Sequence, residues 1–279
     1  MTFTTLISVT ELAASLNDPA FVLFDCRHEL TNPQFGARAY AESHLPGARF
    51  AHVDRDLSAP PSGTNGRHPL PEPAAFVGWL ERMGVSNEKQ VIGYDSAGGV
   101  YAARLWWMLR WLGHDRVAVL DGGWNEWLQA NHPVTQEAPH PARARFVAKP
   151  QPLAVDVGHV LAHLNGPGML IVDARSNDRF HGQNETIDPV GGHIPGARNR
   201  FFRDNLDASG RFKAPEQLRA DFLRTIGDAP SAEVVHQCGS GVSACHNLLA
   251  MEIAGLKGSR LYPGSWSEWV ADRDRPVAT

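Results

Sequence analysis

The stretch FVLFDCR at residues 21–27 has a counterpart in the second half of the chain, MLIVDAR at residues 169–175. Each is an apolar run of strand length that ends in Asp-x-Arg. Three more landmarks recur between the halves in the same order. They are HLPGAR (44–49) and HIPGAR (193–198), VIGYD (91–95) and VVHQC (234–238), and GWNEW (123–127) and SWSEW (265–269). Four ordered matches predict a duplicated domain rather than chance similarity.

Within each half, short apolar runs alternate with stretches of helical periodicity, such as residues 73–83 and 215–226. This alternation is typical of a parallel sheet flanked by helices. The sequence therefore predicts an α/β protein with two tandem domains, each a parallel sheet covered by helices. Ligands of such sheets bind at the carboxyl ends of the strands.

A proline-rich segment separates the two halves. Residues 131–152 hold five prolines and show no sustained periodicity, which indicates an extended linker. We predict one domain over residues 1–133, a linker over residues 134–152 and a second domain over residues 153–279.

Composition limits the function classes. The chain has 279 residues, enough for two cores, and a formal net charge of -4, which gives no reason to expect a nucleic acid or a membrane as partner. Three cysteines are too few, and odd in number, for a disulfide framework. Residues 1–16 show no secretory signal. Together with the low cysteine count, this predicts a cytoplasmic protein. Residues 100–112 are the most apolar, but Arg104 and Arg110 interrupt them and indicate an amphipathic helix.

Cys238 follows the apolar run at residues 232–235 and begins the loop CGSGVS, ahead of a helix predicted over residues 244–254. Backbone N–H groups of this loop can turn toward the sulfur, and the N-terminal end of the helix adds positive potential. Both favour the thiolate, which is the nucleophilic form. Taken alone, the pattern also fits a buried and inert cysteine. The loop amides expected to bind sulfur and substrate belong to Gly239, Gly241, Val242 and Ser243.

The duplication supplies an internal comparison for Cys238. At the matching position the first half carries Asp95, followed by SAGG at residues 96–99, so the loop is kept without the nucleophile. One active site per chain follows. The repeated Asp25 and Asp173 are predicted to hydrogen-bond neighbouring loops, a structural role.

With these motifs the chain resembles the two-domain rhodanese family of sulfurtransferases over essentially its full length. The loop CGSGVS is similar to the mercaptopyruvate version of the family, whereas the thiosulfate version carries Arg and Lys after the cysteine. The His-x-Pro-Gly-Ala motif of both halves, LDGGW at residues 120–124 and the segment YPGSWSEW at residues 262–269 agree with it. In this family the first domain is catalytically silent, as Asp95 indicates here.

The resemblance implies a sulfurtransferase that uses neither a cofactor nor a metal. Cys238 would take a sulfur atom from 3-mercaptopyruvate as a persulfide and pass it to a thiol, to cyanide or to a thioredoxin-like protein. Residues 239–246 contain no Arg or Lys to stabilise departing sulfite, which favours mercaptopyruvate over thiosulfate as donor.

Mercaptopyruvate leaves as pyruvate enolate, which needs a proton. Ser240 could supply it, and the family resemblance places His68 and Asp54 behind it in a Ser-His-Asp arrangement. The alternatives are that His68 lies in a contact between domains and that Asp54 is a turn residue.

Arg179 matches an arginine that binds the substrate carboxylate in the mercaptopyruvate enzymes of this family. A second arginine usual there is missing from residues 185–192, and Arg198 or Arg200 are the candidates to replace it. Tyr101 matches a tyrosine that lines the pocket, and helix packing is an equally good explanation for it.

Four alternatives differ in class. A thiosulfate:cyanide sulfurtransferase and a non-enzymatic sulfur carrier both fit the fold. A dual-specificity phosphatase would need an arginine at the end of the loop, where residues 239–246 have none. A zinc site is disfavoured because six residues separate the two cysteines and a helix would point the side chains apart. Its ligands would be His236, Cys238, Cys245 and His246.

Overall fold

The computed structural model describes residues 2–164 and 166–279. Its internal contacts divide the chain into two compact units. Unit 1 comprises Met1–Ala59, Pro71–Gln151 and Ala208–Phe212. Unit 2 comprises Pro60–Leu70, Pro152–Asp207 and Lys213–Thr279. The short segment that carries His68 therefore belongs to unit 2, although it lies in the first half of the sequence.

Unit 1 is a parallel sheet with helices. Its strands are β1 (Leu6–Ile7), β2 (Phe21–Asp25), β3 (Arg49–Phe50), β4 (Gln90–Tyr94) and β5 (Val117–Leu120). Its helices are α1 (Val9–Ser15), α2 (Phe35–Glu42), α3 (Pro73–Arg82), α4 (Ala102–Trp111) and α5 (Gly123–Gln129). The strand order is β1-β5-β4-β2-β3, and all neighbouring strands are parallel.

Unit 2 repeats this design. Its strands are β6 (Leu170–Asp173), β7 (Arg198–Asn199), β8 (Val234–Gln237) and β9 (Arg260–Leu261). Its helices are α6 (Val157–Ala162), α7 (Asn177–Phe180), α8 (Pro215–Ile226), α9 (Ser243–Ile253) and α10 (Ser265–Trp269), with 3₁₀ turns at Phe202–Asn205 and Ser231–Glu233. The strand order is β7-β6-β8-β9, again parallel throughout. Two tandem α/β domains are therefore confirmed.

Register places the two loops of interest at equivalent points. Asp25 at the end of β2 pairs with Tyr94 of β4, and Asp173 at the end of β6 pairs with Gln237 of β8. The residue that follows each partner strand, Asp95 or Cys238, consequently lies at the carboxyl edge of its sheet. In both sheets the strand that leads to this residue is flanked on both sides by other strands.

The two repeated aspartates form buried ion pairs with the arginines of their own motifs. Asp25 binds the guanidinium of Arg27 at 2.6 Å and accepts the hydroxyl of Tyr94 at 2.9 Å. Asp173 binds Arg175 at 2.7 Å. All these side chains are buried. Each ion pair is satisfied within its own unit, as a charge removed from water requires.

Helix α4 differs from the amphipathic helix predicted for residues 100–112. Its residues from Ala102 to Leu109 are all buried, including Arg104. The guanidinium of Arg104 donates to the carbonyl of Leu57 at 3.3 Å, which removes the need for solvent at that position. Within the described residues no helix is long and apolar enough to cross a membrane.

The proline-rich segment is hydrogen-bonded to unit 1. Its backbone amides at Ala144, Lys149 and Gln151 donate to carbonyl groups of the α3 and α4 region of that unit. Prolines suit such a path because they fix an extended backbone and need no donor partner. The linker and domain boundaries at residues 133 and 153 stay predictions.

Candidate active site

Cys238 lies where β8 ends and the loop toward α9 begins. Every residue of β8 is buried, and Cys238 itself is only 2% exposed. Its amide donates to Ser265 Oγ at 3.2 Å, and its carbonyl accepts the amide of Trp266 at 3.0 Å. The backbone of the cysteine is thus fixed by hydrogen bonds to α10.

The sulfur of Cys238 accepts the amide N–H of Gly241 at 3.1 Å. Gly241 has a φ of 76°, and a Cβ at this position would lie 2.4 Å from the carbonyl oxygen of Pro263. Only glycine fits there. Of the loop amides predicted to face the sulfur, this is the one whose hydrogen bond to Sγ the structure describes. The remaining loop residues, Val242 at 5% exposed among them, lead directly into the eleven-residue helix α9, which begins at Ser243.

Ser240, two residues after Cys238, is in direct contact with His68. Ser240 Oγ and His68 Nδ1 are 2.7 Å apart, and both side chains are buried. The residues are 172 positions apart in the sequence. A neutral imidazole with an unprotonated Nδ1 accepts the serine proton, and a protonated Nδ1 returns it. Two members of the predicted relay are therefore in direct contact within unit 2.

Arg179 lies on the short helix α7 and is held by acidic residues. Its Nε and Nη2 donate to the two carboxylate oxygens of Glu185 at 3.0 Å each, and Nη2 lies 3.3 Å from Asp188 Oδ2. The two donors of the Arg179 guanidinium, Nε and Nη2, were predicted to bind a substrate carboxylate. In the structure they bind Glu185 instead. Hydrogen bonds from backbone amides and from Arg179 lower the pKa of Glu185 although its burial acts to raise it.

Arg67 is a second guanidinium at this site that the sequence reasoning missed. Its Nη1 forms an ion pair with Asp188 Oδ1, so that one carboxylate bridges Arg67 and Arg179. A Cβ placed on Gly239 would lie 2.7 Å from Nη2 of Arg67 and 3.7 Å from Nη2 of Arg179. Its position directly before His68 could have drawn attention to Arg67. Nothing in the sequence, however, shows which way its side chain points.

Arg198 and Arg200, the sequence candidates for the second arginine, make other contacts. Arg198 donates to the carbonyl of Thr225 at 2.8 Å. Arg200 contacts Asn205 and pairs with Asp221 at 3.3 Å. Neither supplies one of the three atoms nearest to a Cβ placed on Gly239, which belong to Arg67 and Arg179.

Asp54 and Tyr101 belong to unit 1. Asp54 lies 3.8 Å from Nε2 of His28 and 3.9 Å from Nδ1 of His52, and about a third of its side chain is exposed. Tyr101 is buried just before α4, and its ring packs edge-on against His28. The roles given to Asp54 and Tyr101 by the resemblance stay predictions.

Three side chains could in principle hold a metal ion. His28, His52 and Asp54 form the one such group found among residues 2–164 and 166–279, and it does not include Cys238. Nδ1 of His52 already accepts the backbone amide of Asp54 at 3.1 Å. A metal at that nitrogen would need the same lone pair, so this group is poorly prepared as a metal site.

In unit 1 the position equivalent to Cys238 is filled by Asp95, which is 1% exposed. Its carboxylate accepts four backbone N–H groups at 2.8 to 2.9 Å. Burial raises the pKa of Asp95, and these hydrogen bonds oppose the rise. The donors are the amides of Ala97, Gly99, Tyr101 and Ala102. The repeated loop thus forms a cradle for an anion.

The family model for a rhodanese-like domain matches residues 8–130 and again residues 156–272. The chain belongs to the rhodanese family. The two matched segments confirm the duplication that the sequence predicted.

Individual rhodanese relatives cover nearly the whole chain. A probable 3-mercaptopyruvate sulfurtransferase of Pseudomonas aeruginosa is 47% identical over 277 residues, 98% of each protein. A thiosulfate sulfurtransferase of Cricetulus griseus is 36% identical over 95% of this chain and 91% of its own. A solved structure, 3-mercaptopyruvate sulfurtransferase from Leishmania major, matches with a TM-score of 0.87 at 31% identity, covering 98% of this chain and 75% of that one. The predicted sulfurtransferase activity is thereby confirmed.

Proposed function

We propose that this rhodanese transfers sulfur from 3-mercaptopyruvate through a persulfide on Cys238 to a thiol or to cyanide. The observation that carries this choice of donor is the 2.7 Å contact between Ser240 Oγ and His68 Nδ1. Ser240 lies two residues after the proposed nucleophile, Cys238. The names of the relatives from Pseudomonas aeruginosa and Leishmania major support the same donor.

The first half-reaction breaks the carbon–sulfur bond of the donor. The thiolate of Cys238 attacks the donor sulfur, a sulfur–sulfur bond forms, and the electron pair of the broken bond leaves with pyruvate as its enolate. The proton of the donor thiol reaches the enolate carbon through Ser240 and His68, which yields pyruvate and a persulfide anion. The amide of Gly241, which donates to Sγ, also stabilises charge on the sulfur.

The second half-reaction regenerates the enzyme. The sulfur atom of an acceptor thiol attacks the outer sulfur of the persulfide, and the thiolate of Cys238 leaves. The acceptor carries the sulfur away as its own persulfide, whereas cyanide becomes thiocyanate. Small thiols, cyanide and thioredoxin-like proteins are all acceptors of suitable chemistry.

Thiosulfate is the second candidate donor, and one observation favours it. The sequence argued against thiosulfate because residues 239–246 lack a cation, yet the fold brings Arg67 and Arg179 to Gly239. Guanidinium groups can stabilise departing sulfite. The relative from Cricetulus griseus is named for this reaction.

The test compares kcat/KM for the two donors side by side. Ser240→Ala should lower kcat with 3-mercaptopyruvate by about 100-fold, because an enolate needs the proton. Its turnover of thiosulfate should stay within about threefold, because sulfite leaves unprotonated. His68→Ala should show the same selectivity. Equal losses with both donors would exclude the relay, and a larger kcat/KM for thiosulfate in the wild type would reverse the donor assignment.

We also propose that the protein works in a reducing compartment such as the cytoplasm. The three cysteines form no disulfide. Persulfide transfer to thiols needs acceptors kept reduced. Fractionation of the producing cells, followed by immunodetection, tests this placement.

A further inference from the structure

A cavity of about 380 Å³ opens on unit 1, and its lining includes Gly98 of the loop that follows β4. Its size falls within the range of small-molecule binding sites. All of its lining residues belong to unit 1, although three of them come from the second half of the sequence. Its polar lining consists of Asn125, Glu126, Gln129, Ser209 and Arg211.

The second-half segment in the wall of this cavity repeats a first-half segment. The two segments are GRHPLPE (66–72) and GRFKAPE (210–216). The match pairs Arg67 with Arg211 and His68 with Phe212. The residues before the shared proline lie in unit 2 for the first segment, whereas the wall of the cavity in unit 1 holds the start of the second.

Glycines show that the two segments occupy equivalent positions. In unit 2, Gly66 packs so closely on Gly264 that a Cβ on Gly66 would lie 2.8 Å from its carbonyl oxygen. In unit 1, Gly210 lines the cavity together with Gly122, which matches Gly264 in the sequence. The cavity is therefore the counterpart, in unit 1, of the surroundings of the loop that begins at Cys238.

The reactive groups proposed for unit 2 have been replaced in unit 1. Asp95 stands in place of the cysteine, Ala97 in place of the serine and Phe212 in place of the histidine. The carboxylate of Asp95 already accepts four backbone N–H groups, and a phenyl ring has no proton to transfer. The cavity thus keeps room for a small molecule without the groups proposed for sulfur transfer.

Opposite charges lie side by side at the cavity. Nη1 of Arg211 lies 3.3 Å from Oε1 of Glu126, and their side chains are 49% and 31% exposed. Nε of Arg211 also donates to Ser209 Oγ at 3.4 Å. An exposed ion pair contributes little to stability, so both groups can bind a ligand at low cost. A singly charged ligand is attracted by one group and repelled by the other, whereas a zwitterion is attracted by both.

We propose that this cavity binds the zwitterion of an α-amino acid that has a polar, uncharged side chain. The carboxylate of the ligand pairs with Arg211 and its ammonium group pairs with Glu126, which places four charges in alternating order. The side-chain amides of Asn125 and Gln129 hydrogen-bond the side chain of the ligand. None of these residues takes part in the reaction proposed for Cys238, so the site is independent of the sulfur donor and acceptor.

Isothermal titration calorimetry with L-glutamine tests the site. The wild-type protein should bind L-glutamine with a Kd of about 1 mM or lower. Two analogues each lack one charge, 4-carbamoylbutanoate the ammonium group and 4-aminobutanamide the carboxylate. Each should bind at least about tenfold more weakly, because one of the two ion pairs is lost. No measurable binding of L-glutamine, or equally tight binding of either analogue, overturns the proposal.

Variants assign the binding to this cavity. Arg211→Ala and Glu126→Gln should each weaken the binding of L-glutamine by about tenfold. Arg38→Ala, at an exposed arginine on α2 of the same unit, is the matched control and should change the Kd by less than about twofold. Circular dichroism verifies that each variant is folded. Retention of the wild-type Kd in folded Arg211→Ala overturns the proposal.

A last variant separates this site from the proposed function. Cys238→Ser removes the proposed nucleophile and should leave the Kd for L-glutamine unchanged. Loss of L-glutamine binding in Cys238→Ser would place the ligand at the loop of unit 2 and overturn the proposal. A wild-type protein that binds L-glutamine but does not turn over 3-mercaptopyruvate contradicts the proposed function only.

Discussion

The loops after β4 and β8 share a backbone frame and differ in what they hold. In each, the carbonyl of the first loop residue accepts the amide of a tryptophan, Trp124 for Asp95 at 2.8 Å and Trp266 for Cys238 at 3.0 Å. The carboxylate of Asp95 accepts four backbone N–H groups, whereas the sulfur of Cys238 accepts one, from Gly241.

This difference shows how one copy of a duplicated loop can serve structure and the other chemistry. A carboxylate is an anion built into the chain, so the loop amides of unit 1 are satisfied permanently. A cysteine brings a negative charge only as a thiolate or as a persulfide. In the mechanism proposed above, the negative charge in unit 2 moves between Sγ of Cys238 and the outer sulfur of the persulfide, so stabilising it would contribute to catalysis rather than to folding alone.

The largest expected effect comes from making the two loops alike. Cys238→Asp should lower sulfur transfer by about 1,000-fold or more, because a carboxylate has no sulfur on which a persulfide can form. The variant should nevertheless fold, with a Tm at least equal to that of Cys238→Ser, if the loop amides of unit 2 can bind a carboxylate as those of unit 1 do. A lower Tm for Cys238→Asp than for Cys238→Ser would show that the two cradles are not equivalent. Persulfide detection by mass spectrometry checks the activity of both.

The converse change removes the carboxylate that the loop of unit 1 binds. Asp95→Ala leaves four buried N–H groups without their acceptor and should lower the free energy of unfolding by about 3 to 5 kcal/mol. Denaturation in urea measures the loss. Folded Asp95→Ala protein at low temperature should keep kcat near the wild-type value. A small loss of stability would mean that the four hydrogen bonds contribute little.

Acid sensitivity should distinguish β8 from β4. Burial lowers the pKa of His236 to about 3, whereas the matching residue of β4 is Gly93, which has no titratable side chain. The folded-state pKa of His236 lies below its unfolded value of about 6.5, so the free energy of unfolding is largest above pH 6.5. It decreases as the pH falls below that value, because the unfolded chain binds the proton more readily. His236 should therefore account for a loss of about 2 kcal/mol between pH 7 and pH 5.

The variant His236→Gln isolates this contribution. Its free energy of unfolding should change less between pH 7 and pH 5 than that of the wild type, by about the same 2 kcal/mol. An unchanged pH dependence of urea unfolding would mean that His236 is protonated in the folded protein.

The smallest expected effect concerns the residue that precedes the equivalent tryptophan in each unit, Gly123 before Trp124 and Ser265 before Trp266. Ser265 has a φ of 55°, a conformation that costs about 1 kcal/mol for a residue other than glycine, and unit 1 has Gly123 there with a φ of 54°. Ser265→Gly relieves this strain but loses the hydrogen bonds of Oγ to Cys238 and Tyr262, so stability should change by less than about 1 kcal/mol.

The reverse substitution gives the comparison its control. A Cβ on Gly123 would lie 2.3 Å from the carbonyl oxygen of Asp95, so Gly123→Ala should cost about 2 to 3 kcal/mol. Thermal unfolding of Ser265→Gly, Ser265→Ala and Gly123→Ala measures the three effects. Ser265→Ala should be less stable than Ser265→Gly, because it keeps the strain and loses the hydrogen bonds.

Much of the fold was readable from local patterns. Strand-length apolar runs ending in Asp-x-Arg predicted β2 and β6, and the helix at Pro215–Ile226 was predicted with its observed bounds. The prediction for α4 was wrong, because an arginine in an apolar helix was expected to face water. Arg104 instead finds the carbonyl of Leu57, a partner 47 residues away that periodicity cannot reveal.

The sequence by itself determined the duplication, the nucleophile candidate Cys238 and its silent counterpart Asp95, because these depend on residue identity and order along the chain. Only the tertiary structure decided which charged groups lie next to Gly239, the residue after Cys238. It placed Arg67 and Arg179 against Gly239 and gave the bidentate edge of Arg179 to Glu185. The physical reason is that an arginine side chain has a long reach and several possible acceptors, so its direction is set by partners far away in the sequence.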